Sequence, residues 1–397
     1  MTRHAGTFPI TKAEAIIALV AEIYGAPPTP LHHPAFTGNE GSYLLETLES
    51  NLVSSIGPYV SEFEEQIACY TGAARAVATT SGTSALHMAL LLAGVRAGEE
   101  VISQALTFVA TCNAISYLGA RPVFVDVDAD TLGMSPVALR NWLDANTVIR
   151  EGRCVNRRTG ARIAACVPMH SFGLPCRIME IAEICSDFGI VLIEDAAEAL
   201  GSYAGDRHTG TIGKIGILSF NGNKIITTGG GGMILTDDEA LADRAKHLTT
   251  TAKVPHPWQT YHDAVGYNYR MPNLNAALGC AQMERLPEIL KIKAEIAGRY
   301  RDFCAELDLH FIKPLCGMTT NNWLNAVRFE DREARDEFLE ATNSCGVMTR
   351  PVWRLMHELS PFANCEHDGL ANSVWLSARV VNLPSSVPAA QLYRPAS

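Results

Sequence analysis

Positive charge is in short supply in this sequence. Lys and Arg number 32 against 42 Asp and Glu, a net charge of −10, and no long basic run occurs. Nucleic-acid binders generally need Lys and Arg facing phosphates, so this balance argues against that class. It leaves open an anionic substrate held by a few local cations. Metal-binding spacings are missing too. The eleven cysteines include no CxxC pair, and Cys166, Cys176 and Cys185 stand too far apart for a zinc knuckle. With no paired His motif following, no structural zinc is expected; reduced thiols in a cytoplasmic protein fit better. Residues 1–7 lack the apolar stretch of a signal peptide. The apolar patch at 15–24 carries Glu22 and is too short to cross a bilayer, so a soluble chain is expected. No internal repeat, coiled-coil seam or low-complexity tract is present.

What is present is an ordinary globular balance, 47% hydrophobic and 19% charged over 397 residues. That length suits one large domain and a smaller one. Residues 11–24 read as a helix capped by Thr11, broken by the Gly/Pro-rich stretch 25–30. A second helix is expected over 39–52 and a third over 60–71. The turn between them carries Tyr59, either a packing anchor or a site aromatic. From residue 75 strands and helices alternate. Strands are expected at 76–79, 100–103, 121–127, 164–169 and 190–194, with helices at 85–93, from 107, at 135–144 and at 177–188. Phe108 falls in the first turn of the second of these helices. Residues 146–162, charged and without apolar periodicity, read as an exposed excursion. Continuous apolar strands in βα alternation predict an α/β domain with a mainly parallel sheet. A long helix over 281–306 then leads to a smaller α/β domain. The expected division is 1–53, 54–280 and 281–397.

In open α/β sheets, ligands sit beyond the carboxyl ends of the strands. Three features fall there: the turn Ser81-Gly82-Thr83, Asp195 and Lys224. The turn opens a helix, and a helix N-terminus is a ready anion site, although Ser81 or Thr83 could simply cap it. Asp195 follows an apolar strand and needs a partner, as a helix cap, a salt bridge or a site group. Lys224 stands between the apolar run 215–220 and four glycines, Gly229 to Gly232. A phosphate-binding P-loop requires G-x-x-x-x-G-K-[ST], but Asn223 precedes this lysine and Ile225 follows it. A dinucleotide G-x-G-x-x-G fails because Ile234 stands where the last glycine is needed. Pyridoxal phosphate asks for a lysine amine, a carboxylate for its pyridine nitrogen, an anion cradle and a flat surface against its ring. Lys224, Asp195, Ser81-Gly82-Thr83 and Phe108 can supply these in that order.

Six segments carry a resemblance: 81–90, Thr107-Phe108, 167–170, 194–198, 219–224 and 266–271. In them the chain resembles the DegT/DnrJ/EryC1/StrS sugar aminotransferases, which have the fold type I architecture of pyridoxal phosphate enzymes: a large domain with a mainly parallel sheet and a smaller C-terminal α/β domain. Segments 193–202, 221–233, 248–256 and 322–325 resemble the branch of the legionaminic acid pathway. Its members aminate C4 of a nucleotide-linked 4-keto-6-deoxy-2-acetamido sugar. The resemblance implies that Lys224 forms the Schiff base and shuttles the proton, and that Asp195 pairs with the pyridine nitrogen. It places Glu198, where many relatives carry Gln, near the ring hydroxyl. Gly82, Thr83 and Ser219 would hold the phosphate and Phe108 would stack on the ring. Asn268 would reach the phosphate of the neighbouring subunit's cofactor, which implies a homodimer with shared sites. L-glutamate is the implied amino donor.

Substrate contacts are less determined. His170 is a site residue or a hydrogen-bonded structural histidine. Lys253, Arg270, Arg207 and Arg350 are candidates for the substrate's diphosphate or are solvated surface cations. Trp323 and Trp353 stack on sugar or base, or belong to the core. Two other readings share the fold. A sugar dehydratase of this family has histidine in place of the lysine, and Lys224 argues against it. A cofactor-binding regulator carries a basic helix-turn-helix ahead of the domain, and the roughly 50 residues here are short and not basic.

Overall fold

The computed structural model describes residues 11–388 and 391. Residues 1–7, on which the signal-peptide reading rests, lie outside the described residues.

The centre is a seven-stranded sheet. Across it lie Arg75–Thr79, Gly232–Thr236, Ile215–Ser219, Val191–Asp195, Ile163–Val167, Glu100–Gln104 and Arg121–Val125. Gly232–Thr236 runs antiparallel to both neighbours, and the remaining pairs are parallel. The sheet is mainly parallel, as its unbroken apolar strands predict. Glu100–Gln104, Ile163–Val167 and Gly232–Thr236 are buried at every position, because apolar clusters cover both faces. Arg75–Thr79 points the same way as Ile215–Ser219 and Val191–Asp195. Their carboxyl ends (Thr79, Ser219 and Asp195) therefore open on one edge.

Helix starts follow their capping chemistry. Thr11 and Glu14 form a capping box for Lys12–Tyr24. Ser81 caps Gly82–Leu92 by accepting the Ser84 N–H at 3.0 Å. Phe108 is itself the residue before the helix Val109–Tyr117, with extended backbone, rather than a member of its first turn. The third helix starts at Pro58, so Tyr59 is helical. Its hydroxyl donates to Glu46 at 2.6 Å and its ring stacks on Tyr43, which makes it a packing residue.

The expected excursion at 146–162 is instead an antiparallel hairpin, Thr147–Arg150 with Arg153–Asn156. Glu151 and Gly152 take positive φ at its tip, as a two-residue hairpin turn requires. Asn156 is buried at its base, donating to Glu100 at 2.9 Å and Glu366 at 2.8 Å. The long helix begins at Asn273 and runs unbroken to Glu306, so residue 281 lies inside it. Beyond it, His310–Phe311, Asn325–Arg328, Val380–Leu383 and Arg350–Pro351 form an antiparallel four-stranded sheet in that order. Lys12–Tyr24 packs on Arg332–Ser344, joining the start of the chain to this C-terminal layer. Among the described residues, no helix is long and apolar enough to cross a membrane.

Candidate active site

A cavity of about 330 Å³ opens at the carboxyl edge of the sheet. Asp195 ends its strand there, 2% exposed. Its Oδ2 accepts the Thr111 hydroxyl at 2.7 Å, and its Oδ1 accepts the Ala197 N–H at 3.2 Å. Burial pushes its carboxyl upward, opposed by these hydrogen bonds and by the nearby Lys224 charge. Both hydrogen-bond donors are neutral, so a cation in the cavity would complete its environment.

Lys224 sits in the loop after Ile215–Ser219. Its Nζ donates to Glu198 Oε1 at 3.2 Å and lies 4.2 Å from the centre of the Trp323 indole. Glu198 is 3% exposed. Its other oxygen accepts the Phe172 N–H at 2.9 Å. Burial raises this carboxyl too, with the Lys224 charge pulling the other way. Trp323 donates its indole N–H to the Asn223 carbonyl at 2.7 Å, one residue before the lysine. Asn321 fixes the neighbouring backbone, donating to the carbonyls of Glu198 and Leu200 at 2.8 and 2.9 Å.

The third component is the open end of Gly82–Leu92. The first N–H groups of a helix have no partner within it. A Cβ on Gly82 would lie 2.9 Å from Ser219 Cβ and 3.1 Å from its hydroxyl. Glycine thus lets Ser219 close on the helix end, where an anion would be met by backbone N–H groups and a hydroxyl. The glycine run serves the same closeness: a Cβ on Gly232 would sit 2.4 Å from the Ser81 carbonyl oxygen. Gly230 and Gly231 line the cavity. Phe108, 47% exposed, stands at its rim with its ring 6.2 Å from Trp353.

The structure therefore brings Gly82, Thr83, Phe108, Asp195, Glu198, Ser219, Lys224, Trp323 and Trp353 onto one cavity. His170 is a correction. It is fully buried behind the cavity, its Nε2 3.0 Å from Glu194. Burial works against charge on this ring, yet Cys176 and Glu194 raise it to about 10. Glu194 also accepts the N–H groups of Gly210, Ile212 and Gly213 at 2.8, 2.6 and 2.6 Å. The backbone N–H of His170 donates to the Asp195 carbonyl at 3.1 Å, and the ring is not part of the cavity lining. The strand end that carries Val167-Pro168-Met169 simply turns His170 inward.

Asn268 is exposed and outside the cavity, as are Lys253 and Arg207. Arg270 pairs its backbone with Thr79, and its Nε is buried without a hydrogen-bond partner. Arg350 lines an adjoining cavity of about 430 Å³ that shares Asn223, Trp323 and Trp353 with the first. Sequence reasoning missed Thr111, Phe172 and Asn321. Only Thr111 left a signal: it lies one helical turn after Thr107, and the two hydroxyls are 2.9 Å apart.

A buried carboxylate hydrogen-bonded only to neutral donors, an anion cradle only glycine permits, and a lysine within the same cavity match the parts of pyridoxal phosphate. Among the described residues, no group of three His, Cys, Asp or Glu side chains is placed to hold a metal ion.

Comparison with known proteins leads to the same cofactor. A model of the DegT/DnrJ/EryC1/StrS aminotransferase family matches residues 35–391. The chain is 37% identical over 328 residues to EpsN of Bacillus subtilis, described as a pyridoxal phosphate-dependent aminotransferase, covering 82% of each chain. It is 35% identical to the GDP-perosamine synthase of Caulobacter vibrioides, covering 89% of this chain and 91% of the relative. The crystal structure of DesI with its TDP-sugar product superposes with a TM-score of 0.79 at 28% identity, covering 93% of this chain and 91% of DesI.

Proposed function

Since the chain belongs to the DegT/DnrJ/EryC1/StrS aminotransferase family, which works with pyridoxal phosphate, we propose that it transfers an amino group from L-glutamate to a keto sugar carried on a nucleotide. One observation carries this reading: Lys224, Asp195 and the N-terminus of Gly82–Leu92 meet in one cavity. Relatives named for GDP-perosamine synthesis and solved with a TDP-sugar product support the nucleotide sugar.

When bound, pyridoxal phosphate supplies an aldehyde that takes and returns the amino group and a ring that stores an electron pair. The protein supplies the rest. Asp195, oriented by Thr111 and Ala197, would hold the pyridine nitrogen in its protonated form. The N–H groups of Gly82 and Thr83 and the Ser219 hydroxyl would hold the phosphate, and Phe108 would cover the ring. Glu198, which accepts a hydrogen bond from Lys224 Nζ, would lie near the ring hydroxyl. As a free amine, Lys224 Nζ would take the proton from the α-carbon of the amino acid in the first half of the cycle. In the second half its ammonium form would give a proton to the sugar carbon and return to the amine.

The finer reading is a 4-keto-6-deoxy-2-acetamido acceptor aminated at C4, as in the legionaminic acid branch. Two of the segments that carry this resemblance, 221–233 and 322–325, contribute Asn221, Asn223, Lys224 and Trp323 to the cavity. The active unit is a homodimer in the cytoplasm. Asn268, exposed and away from its own cavity, is free to reach the partner's cofactor phosphate.

The test is an assay of purified protein with glutamate and a panel of UDP-, GDP- and CMP-linked 4-keto sugars. The protein should be yellow and bleach on adding glutamate. Lys224→Ala should abolish both bleaching and amine transfer. Undiminished transfer by that variant, or a colourless protein that takes up no cofactor, overturns the reading.

A further inference from the structure

Lys293 lies within the long helix Asn273–Glu306 and is 1% exposed. The chemistry above makes no use of it. Its Nζ donates to the Trp323 carbonyl at 3.2 Å and to the Ser385 carbonyl. Among the described residues, no carboxylate pairs with it. A buried ammonium held only by neutral acceptors is unfavourable, and burial pushes Lys293 down to about 7. Leucine or methionine would fill this space without that penalty. What the amine holds decides why it is there.

It holds the back of Trp323. The carbonyl of this residue faces Lys293, while its indole faces forward over the Lys224 ammonium at 4.2 Å. The indole N–H reaches the Asn223 carbonyl at 2.7 Å, adjacent to Lys224 in the chain. A shift of the Trp323 backbone would loosen both contacts together. The second acceptor anchors the amine to a rigid corner. The Ser385 hydroxyl accepts the Asn325 N–H at 2.9 Å, and the Ser385 N–H donates to Leu31 at 2.7 Å. Tyr300, on the same face of the helix, donates to the Pro384 carbonyl at 2.9 Å. Behind the indole, His32 lies 6.5 Å away, with its Nδ1 buried and unpartnered. Burial and the charges of Lys293 and Lys224 hold this ring neutral.

We propose that Lys293 is a positioning residue. By holding the Trp323 carbonyl from behind, it keeps the indole over Lys224 and the indole N–H on the Asn223 carbonyl. The inference rests on the reading of Lys224 given above.

A double-mutant cycle tests it, read on cofactor affinity rather than turnover. Apo protein is titrated with pyridoxal phosphate, and its dissociation constant is followed by absorbance. Lys293→Met and Trp323→Leu should each weaken binding about tenfold. The double variant should bind no more weakly than Trp323→Leu alone. Trp323 emission in the apo protein, taken as the difference from Trp323→Leu, should shift to the red in Lys293→Met. Should Met at this position fail to fold, Lys293→Gln keeps a polar head and enters the same cycle. Unchanged affinity and emission in the Lys293 variants, or effects that multiply in the double variant, overturn the proposal. Borohydride reduction and peptide mapping separate the two readings. A label away from Lys224 overturns the site, whereas a label on Lys224 with multiplying effects overturns only the role of Lys293.

Discussion

Glu198 and Lys224 form an ion pair at 3.2 Å with the carboxylate side chain 2% and the lysine side chain 11% exposed. Breaking a buried pair from one side leaves the other charge without a partner and costs about 3 kcal/mol. Lys224→Met in the apo protein should therefore lose stability of about that size. Lys224→Met combined with Glu198→Gln should recover most of it, because no buried charge is stranded. Denaturant unfolding of the apo proteins measures both. Equal stability of Lys224→Met and wild type would mean that the pair holds nothing in place.

The Thr111 hydroxyl, 2.7 Å from Asp195 Oδ2, favours the ionised carboxyl against the upward push of burial. Thr111→Val removes that hydrogen bond, so Asp195 should titrate at higher pH. The reaction needs the carboxylate. Activity should thus fall earlier as pH drops, with the acidic limb of the glutamate half-reaction moved to higher pH. Stopped-flow bleaching across pH 5 to 8 checks this. An unmoved limb would show that Thr111 does not act on Asp195.

Much of the site was legible because its parts sit at strand ends, where the chain pattern changes sharply. Asp195 closes an apolar strand, Ser219 closes the next, and Gly82 opens a helix after a hydroxyl-rich turn. What was not legible depends on contacts between distant segments. Asn321 reaches the Glu198 carbonyl across 123 residues of chain. Phe172 presents its N–H to Glu198 from a backbone at φ 60, which no propensity announces. His170 follows a strand end just as Asp195 ends one, and only packing decides which side chain faces the cavity. The hairpin at 147–156 was hidden because Arg150, Glu151 and Arg153 mask its few apolar positions. Lys293 looks in sequence like one more solvated lysine on a charged helix.

Gly82 gives the most direct steric test. Alanine would gain at most about 1 kcal/mol of intrinsic helix propensity at this first helical position. Its Cβ would meet Ser219 Cβ at 2.9 Å, and overpacking of that kind costs about 1–3 kcal/mol. The clash should win. Gly82→Ala should fold, lose about 1 kcal/mol and bind pyridoxal phosphate about tenfold more weakly. Phosphate-free pyridoxal should lose much less, because the damage lies in the anion cradle. Equal losses for the two ligands would place the phosphate elsewhere.

The His170–Glu194 pair gives a stability prediction in pH. His170 is raised to about 10 in the folded chain, against an unfolded value of about 6.5. Its contribution is therefore fully present below about pH 6.5 and is lost as pH rises toward about 10. Glu194 is lowered in the fold, so its contribution is present above its unfolded value and lost as pH falls through the folded one. Wild type should lose stability steadily between pH 7 and 10. His170→Gln should be less stable at pH 7 by about 3 kcal/mol and should show a flatter profile over that range. Thermal unfolding as a function of pH measures both the loss and the flatter profile. A His170→Gln profile parallel to wild type would mean that the pair is not ionised in the fold.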